Sequence, residues 1–290
     1  MINSSDDGFI TPYINLAEKL QNNFSSEKVL AYKHQLPQLK RTNLDLLGET
    51  AFDLSMSQPK IGWTLMAIVD VIVQDGEYGP KIQALAAWHL GRAANGWFNP
   101  LLVPEPLERT RKLFEQLNEP GWVAACDWQL HAVPWMWPDF KQSVAVLEKA
   151  LEGLLASGMV DYAAYCCLSL AYALMLVGEF DESAEHVAKA TAYFTKADDQ
   201  FGIAYALFTK ANYQRRSSQL DLAKTNIEQA IRIFEEIDCK VFFAISNYSL
   251  AYTLYIAEND FENAKKHFQM AKTIFTSLDL PIWEAQCEGA

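Results

Sequence analysis

The forty residues DYAAYCCLSLAYALMLVGEFDESAEHVAKATAYFTKADDQ, Asp161 to Gln200, set the layout that the chain repeats on either side. Ala171 has counterparts at Ala211 and Ala251 downstream and at His131, Gly91 and Ala51 upstream. Ala190 recurs as Ala150, Ala230 and Ala271, and Phe180 as Phe140, Leu220 and Phe261. Near the end of each unit an aromatic residue or Leu precedes a short polar exit: Phe114, Leu154, Phe194, Phe234 and Phe275, spaced 40, 40, 40 and 41. Self-similarity at this period is the mark of stacked helical pairs, each burying its apolar face against its neighbours. The predicted fold is all-α, a right-handed solenoid of antiparallel helix pairs.

Within the quoted unit, helix A is expected from near Tyr162 to Val177, with a turn at Gly178. Helix B follows over roughly Asp181 to Lys196, and Asp198-Asp199 form the exit. The small residue at 150, 190, 230 and 271 lets helix B approach its neighbour closely. Ser218 with Asp221, and Asn259 with Glu262, fit an N-cap followed three residues later by an acid, which satisfies free amides at a helix start.

Five clear units are expected over 81–281. Upstream, 41–80 reads as a degenerate helical pair divided at Gln58-Pro59, and 1–40 as N-terminal capping helices ended near Pro37. Ile282 to Ala290 reads as the start of a truncated sixth repeat, because Trp283 and Ala285 match Phe242 and Ala244. That pattern suggests a natural protein continuing into further repeats and an effector domain.

The set Leu170-Ala171, Gly178-Glu179-Phe180, Ala184 and Ala190 resembles a tetratricopeptide repeat, and Ala223 with Ala230, and Phe261, Ala264 and Ala271, echo it. A period of about 40 rather than ~34 resembles the longer variety found in large bacterial regulators. Phe234-Glu-Glu-Ile-Asp238, Phe275-Thr-Ser-Leu-Asp279 and Leu280 to Cys287 look like repeat regions that precede caspase-like (CHAT) peptidase domains. The resemblance implies a tetratricopeptide-like superhelix that binds a protein or peptide. It also implies a place as a sensor or scaffold in a multidomain regulator.

The chemistry excludes several classes. A net charge of −12 argues against a nucleic-acid backbone as partner, since Arg109-Arg111-Lys112, Arg215-Arg216 and Lys265-Lys266 are short and separated. Five cysteines without framework spacing suit free thiols in a reducing cytoplasm. Met159 to Val177 is nearly all apolar, but a helix in the middle of a stack has the same all-round hydrophobicity, so no membrane span is expected. Gly91 to Gly96 has phosphate-loop glycine spacing, yet Trp97-Phe98 follow in place of Lys; a helix end and turn is expected there. The five histidines form no i, i+4 pair. No metal, cofactor or catalytic constellation is expected.

Two features remain. The first is a ladder on the A helices: Trp88, Trp128, Leu168, Phe208 and Tyr248 share one repeat position; Arg92, Ala132, Tyr172, Asn212 and Tyr252 lie four on; Asn95, Trp135, Met175, Arg215 and Tyr255 come three later. Positions i, i+4 and i+7 share a helix face. Trp88, Arg92, Trp128, Trp135, Tyr172, Phe208, Asn212, Arg215, Tyr248 and Tyr252 are the expected partner-binding residues, or alternatively core packing between helices. The second is a pair of aromatic A–B turns, with Trp97, Phe98 and Trp137 as an expected edge contact or as covers for their own helix pairs. The leading reading is a noncatalytic peptide- or protein-recognition scaffold. A small-metabolite sensor of a signalling ATPase or transcription regulator is the alternative, and a stand-alone enzyme the least favoured.

Overall fold

The computed structural model describes residues 4–76, 78–96, 99, 101–132, 139–258 and 260–288. They form helices joined by short turns, and no strand occurs among the described residues. The chain divides into two compact units, Met1–Leu130 and His131–Ala290. The first contains α1 (Ser4–Leu20), α2 (Ser26–Tyr32), a 3-10 turn (Lys33–Gln35), α3 (Arg41–Ser57), α4 (Pro59–Asp75), α5 (Pro80–Gly96), α6 (Pro104–Gln116) and α7 (Pro120–His131), whose last residue crosses the boundary. The second contains α8 (Phe140–Ala156), α9 (Val160–Val177), α10 (Phe180–Ala197), α11 (Gln200–Arg216), α12 (Leu220–Glu236), α13 (Lys240–Glu258), α14 (Phe261–Ser277) and α15 (Pro281–Glu288). Within the second unit each helix from α8 to α15 packs on the next, and in the first α3, α4, α5 and α6 do the same. The fold is all-α and built of helix pairs.

The forty-residue period is written into the helix ends. Asn118, Gly158, Asp198, Asp238 and Asp279 all have positive φ, between 53° and 71°. Each lets the following amide turn back onto the exit residue of the preceding helix. Glu119 donates to the Phe114 carbonyl at 3.0 Å, Met159 to Leu154 at 2.9 Å, Asp199 to Phe194 at 3.0 Å, Cys239 to Phe234 at 2.8 Å and Leu280 to Phe275 at 3.0 Å. This six-to-one closure satisfies carbonyls that a helix end would otherwise leave open. The same closure ends α9 and α11, through Gly178 and Ser218. Ser218 is therefore not the N-cap expected from its sequence: it closes α11, and α12 begins two residues later at Leu220, with Gln219 at the cap. Asn259 lies outside the described residues, and the cap of α14 is Asp260, which accepts from the Asn263 amide.

The exit side chains hold neighbouring helices together. Phe114, Leu154, Phe194, Phe234 and Phe275 are fully buried. A ring eight residues further on stacks against three of them: Trp122 on Phe114 at 5.1 Å, Phe242 on Phe234 at 5.3 Å and Trp283 on Phe275 at 5.4 Å. Opposite Phe194 the equivalent residue is Gly202, and a Cβ there would lie 2.2 Å from the Phe194 ring. Tyr165 supplies the ring contact instead, at 4.6 Å. Each buried Phe contributes on the order of 1.5–3 kcal/mol relative to exposure.

Ala150, Ala190, Ala230 and Ala271 are buried where the helices meet. Gly91 to Gly96 form the C-terminal end of α5, and at Gly91 the missing side chain makes room for α6, where a Cβ would meet Leu107 at 2.4 Å. Helix α9 is the one described helix long and apolar enough to cross a membrane, and 61% of it is buried within the fold.

Candidate ligand-binding face

In the second unit α11 packs against both α9 and α13, so three A helices lie side by side. Their i, i+4 and i+7 positions bring Tyr172 of α9, Asn212 and Arg215 of α11, and Tyr248 and Tyr252 of α13 to one region. Leu168 and Phe208 form its buried floor. Tyr172, Arg215, Tyr248 and Tyr252 are half-buried, with part of each side chain at the surface. The rings of Tyr248 and Tyr252 are 5.2 Å apart and both lean on Phe268 of α14, which fixes the α13 side of the face.

Arg215 is the charged centre. Its Nη2 donates to the Asn212 Oδ1 at 3.2 Å, and the same oxygen accepts from Ser249 Oγ at 3.1 Å. The Asn212 Nδ2 donates to the Phe208 carbonyl at 3.0 Å, so the amide is held with its oxygen toward the guanidinium. The Arg215 Nε is buried without an acceptor among the described residues. Among the described residues no carboxylate pairs with it; the groups that act on it electrostatically are Arg216 and the phenols of Tyr172, Tyr252 and Tyr248. Burial first, and Arg216 second, bring its pKa below the usual guanidinium value. Burial raises the pKa of Tyr172 and Tyr248, and Tyr248 also hydrogen-bonds Tyr252. At neutral pH Tyr172 and Tyr248 keep their protons. The face therefore offers a guanidinium, phenolic hydroxyls and ring surfaces, a donor-rich array suited to acceptor groups.

The first unit treats its part of the ladder differently. Trp88 is 0% exposed and meets Trp122 edge-on at 5.5 Å. Trp128 is 6% exposed. Arg92 donates to Glu49 at 2.7 Å and lies 4.5 Å over the Phe52 ring. These three are buried, which corrects their expected place on an open face: Trp122 packs on Trp88, and α3 lies along α5 and engages Arg92 through Glu49 and Phe52. Phe208 is likewise floor, at 9% exposure. Trp135, Trp97, Phe98 and Trp137 lie outside the described residues. Ser249 escaped sequence reading, since a lone Ser within an apolar helix carries no distinctive signal.

A second recess of about 320 Å³ is lined by Tyr255, Phe261, Phe268, Lys265, Lys272 and other residues of α13 to α15. No group of three His, Cys, Asp or Glu among the described residues could hold a metal ion. The thiols of Cys126, Cys166, Cys167 and Cys239 are buried, and burial raises the pKa of each.

No family model matches the chain, and no curated protein matches it in sequence. Solved structures do match in fold. A Rap protein complexed with competence and sporulation factor superposes with a TM-score of 0.64 at 14% identity, over 96% of this chain and 79% of that one. Aspartyl phosphate phosphatase F from Bacillus subtilis gives 0.61 at 11% identity, over 82% of this chain and 61% of that one. A STAND-class signal transduction ATPase with a tetratricopeptide repeat sensor, from Pyrococcus horikoshii, gives 0.53 at 15% identity, over 99% and 50%. The chain thus spans about half of that ATPase and three fifths of the phosphatase. Shared architecture is what these identities establish: helical repeats of tetratricopeptide type.

Proposed function

We propose that this chain is a noncatalytic recognition module that holds a peptide or extended protein segment on the shared face of α9, α11 and α13. The observation that carries the reading is Arg215, half-buried among Tyr172, Tyr248 and Tyr252 and lacking a carboxylate partner among the described residues. A static core has little use for such a group, whereas a binding face gains orientation and specificity from it. Aromatic and Arg side chains are also those that most often carry binding energy. The likeness to a Rap protein that is itself complexed with competence and sporulation factor supports the reading. We place the module in the cytoplasm, as the recognition part of a larger regulator, because its repeats resemble those that precede caspase-like peptidase domains.

The test is selection of binders from a displayed peptide library, followed by titration of the best peptide against variants. Tyr252→Ala is expected to weaken binding by ~2 kcal/mol or more, about thirtyfold, as a central aromatic anchor would. Unchanged affinity in both Tyr172→Ala and Tyr252→Ala, with folding intact, would move the site elsewhere.

A further inference from the structure

We infer that Arg215 receives a single carboxylate of the ligand, so that the face on α9, α11 and α13 selects partners presenting one such anion. The inference rests on that face being the ligand site, and its test can fail or succeed apart from the peptide reading.

The contrast with the other partly buried arginines carries it. Arg92 meets Glu49 at 2.7 Å, Arg109 meets Asp70 at 2.8 Å and Arg111 meets Asp127 at 2.6 Å. Each has been given a carboxylate within direct hydrogen-bonding distance. Among the described residues Arg215 has none, in a chain with 36 acidic residues against 24 Lys and Arg. Its neighbour in sequence is a second cation, Arg216, and the phenols around it are neutral donors. Of its five N–H donors, one meets the Asn212 oxygen, which Ser249 already shares, and the Nε hydrogen is buried without an acceptor.

A guanidinium withdrawn from water without a counter-charge is costly to keep, and an incoming anion relieves that cost while making charge-assisted bonds. A carboxylate fits the balance better than a phosphate. One guanidinium neutralises one negative charge, and the second cation, Arg216, is exposed and already solvated. The planar fork of Arg matches the two oxygens of a carboxylate, with phenolic hydroxyls as lateral donors.

The experiment follows the Arg215 Nε–H resonance of the full chain, assigned through the Arg215→Lys variant. The probes are N-acetyl-leucine, its amide, and inorganic phosphate. The expected result is a saturable shift with N-acetyl-leucine, none with the amide, and a weaker response to phosphate. Arg215→Gln is then expected to lose roughly tenfold in affinity for N-acetyl-leucine, the size of one charge-assisted bond. Equal response to acid and amide, no response to either, or a stronger response to phosphate overturns the inference, even if library peptides bind. A response confined to the acid upholds the carboxylate site even if no library peptide binds, in which case only the peptide reading falls.

Discussion

Gly202 gives up its side chain so that the Phe194 ring can lie against the first turn of α11. At the equivalent place in other repeats a ring occupies the position and stacks instead. Gly202→Ala is expected to force the Phe194 ring aside and cost ~1–3 kcal/mol in denaturant unfolding, as overpacking does. Trp88→Ala is expected to cost ~3–5 kcal/mol, the range for removing a large buried aromatic. By contrast, Tyr252→Phe keeps the ring contacts and removes only the hydrogen bond to Tyr248, so it should lower unfolding stability by no more than ~1 kcal/mol. The difference between these ladder residues was not legible in the sequence. Spacing of i, i+4 and i+7 assigns a side chain to a helix face, but it says nothing about which helix covers that face. Over α5 it is α3, and Arg92 is paired as a result. Arg215 on α11 keeps its position in the ladder with no such pairing among the described residues. The thiols give a further check. Burial pushes Cys239 up to about 12 and Cys287 up to about 11, so little of either is thiolate at pH 8. Alkylation by iodoacetamide at pH 8 should be slow for the folded chain and rapid at all five cysteines in denaturant; fast labelling of Cys166 or Cys239 in the folded chain would contradict their burial.

At the scale of the element, the helix ends explain why the period is so regular. Asn118, Gly158, Asp198, Asp238 and Asp279 share little beyond tolerance of a left-handed backbone, and the exit residues before them accept the closing bonds. The apolar half of this device, from Phe114 to Phe275, was legible as a spacing. The polar half was legible only as an exit, since Asn, Gly and Asp make no common letter pattern. Ser218 shows the ambiguity directly: a Ser followed three residues later by Asp matches an N-cap, yet it serves as the left-handed end of α11. Asp238→Gly is expected to be neutral or stabilising by up to ~1 kcal/mol, because glycine adopts the positive φ without a Cβ penalty. Asp238→Val is expected to destabilise by ~1–2 kcal/mol, read from the thermal unfolding midpoint. Equal midpoints for the two variants would show that the backbone there relaxes out of the left-handed region.

Across the whole molecule, two compact units are built by the same rule of helix on helix, and the solved structures that match share it at 11–15% identity. So low an identity is what repeat architecture permits: small residues at crossings, large apolar residues at exits and turn-compatible residues between them define the fold. Surface positions stay open to function. The fold was therefore largely readable from spacing, while the candidate site was readable only as a list of positions on one face. What singles out Arg215 is the lack of an acid across from it among the described residues, a property of three helices together. The most direct test is a tyrosine-ring NMR footprint of a library-selected peptide bound to the full chain. Shifts concentrated on Tyr172, Tyr248 and Tyr252 are the expected result. Shifts confined to Tyr255 beside the α13–α15 recess, with those three rings unmoved, would contradict it.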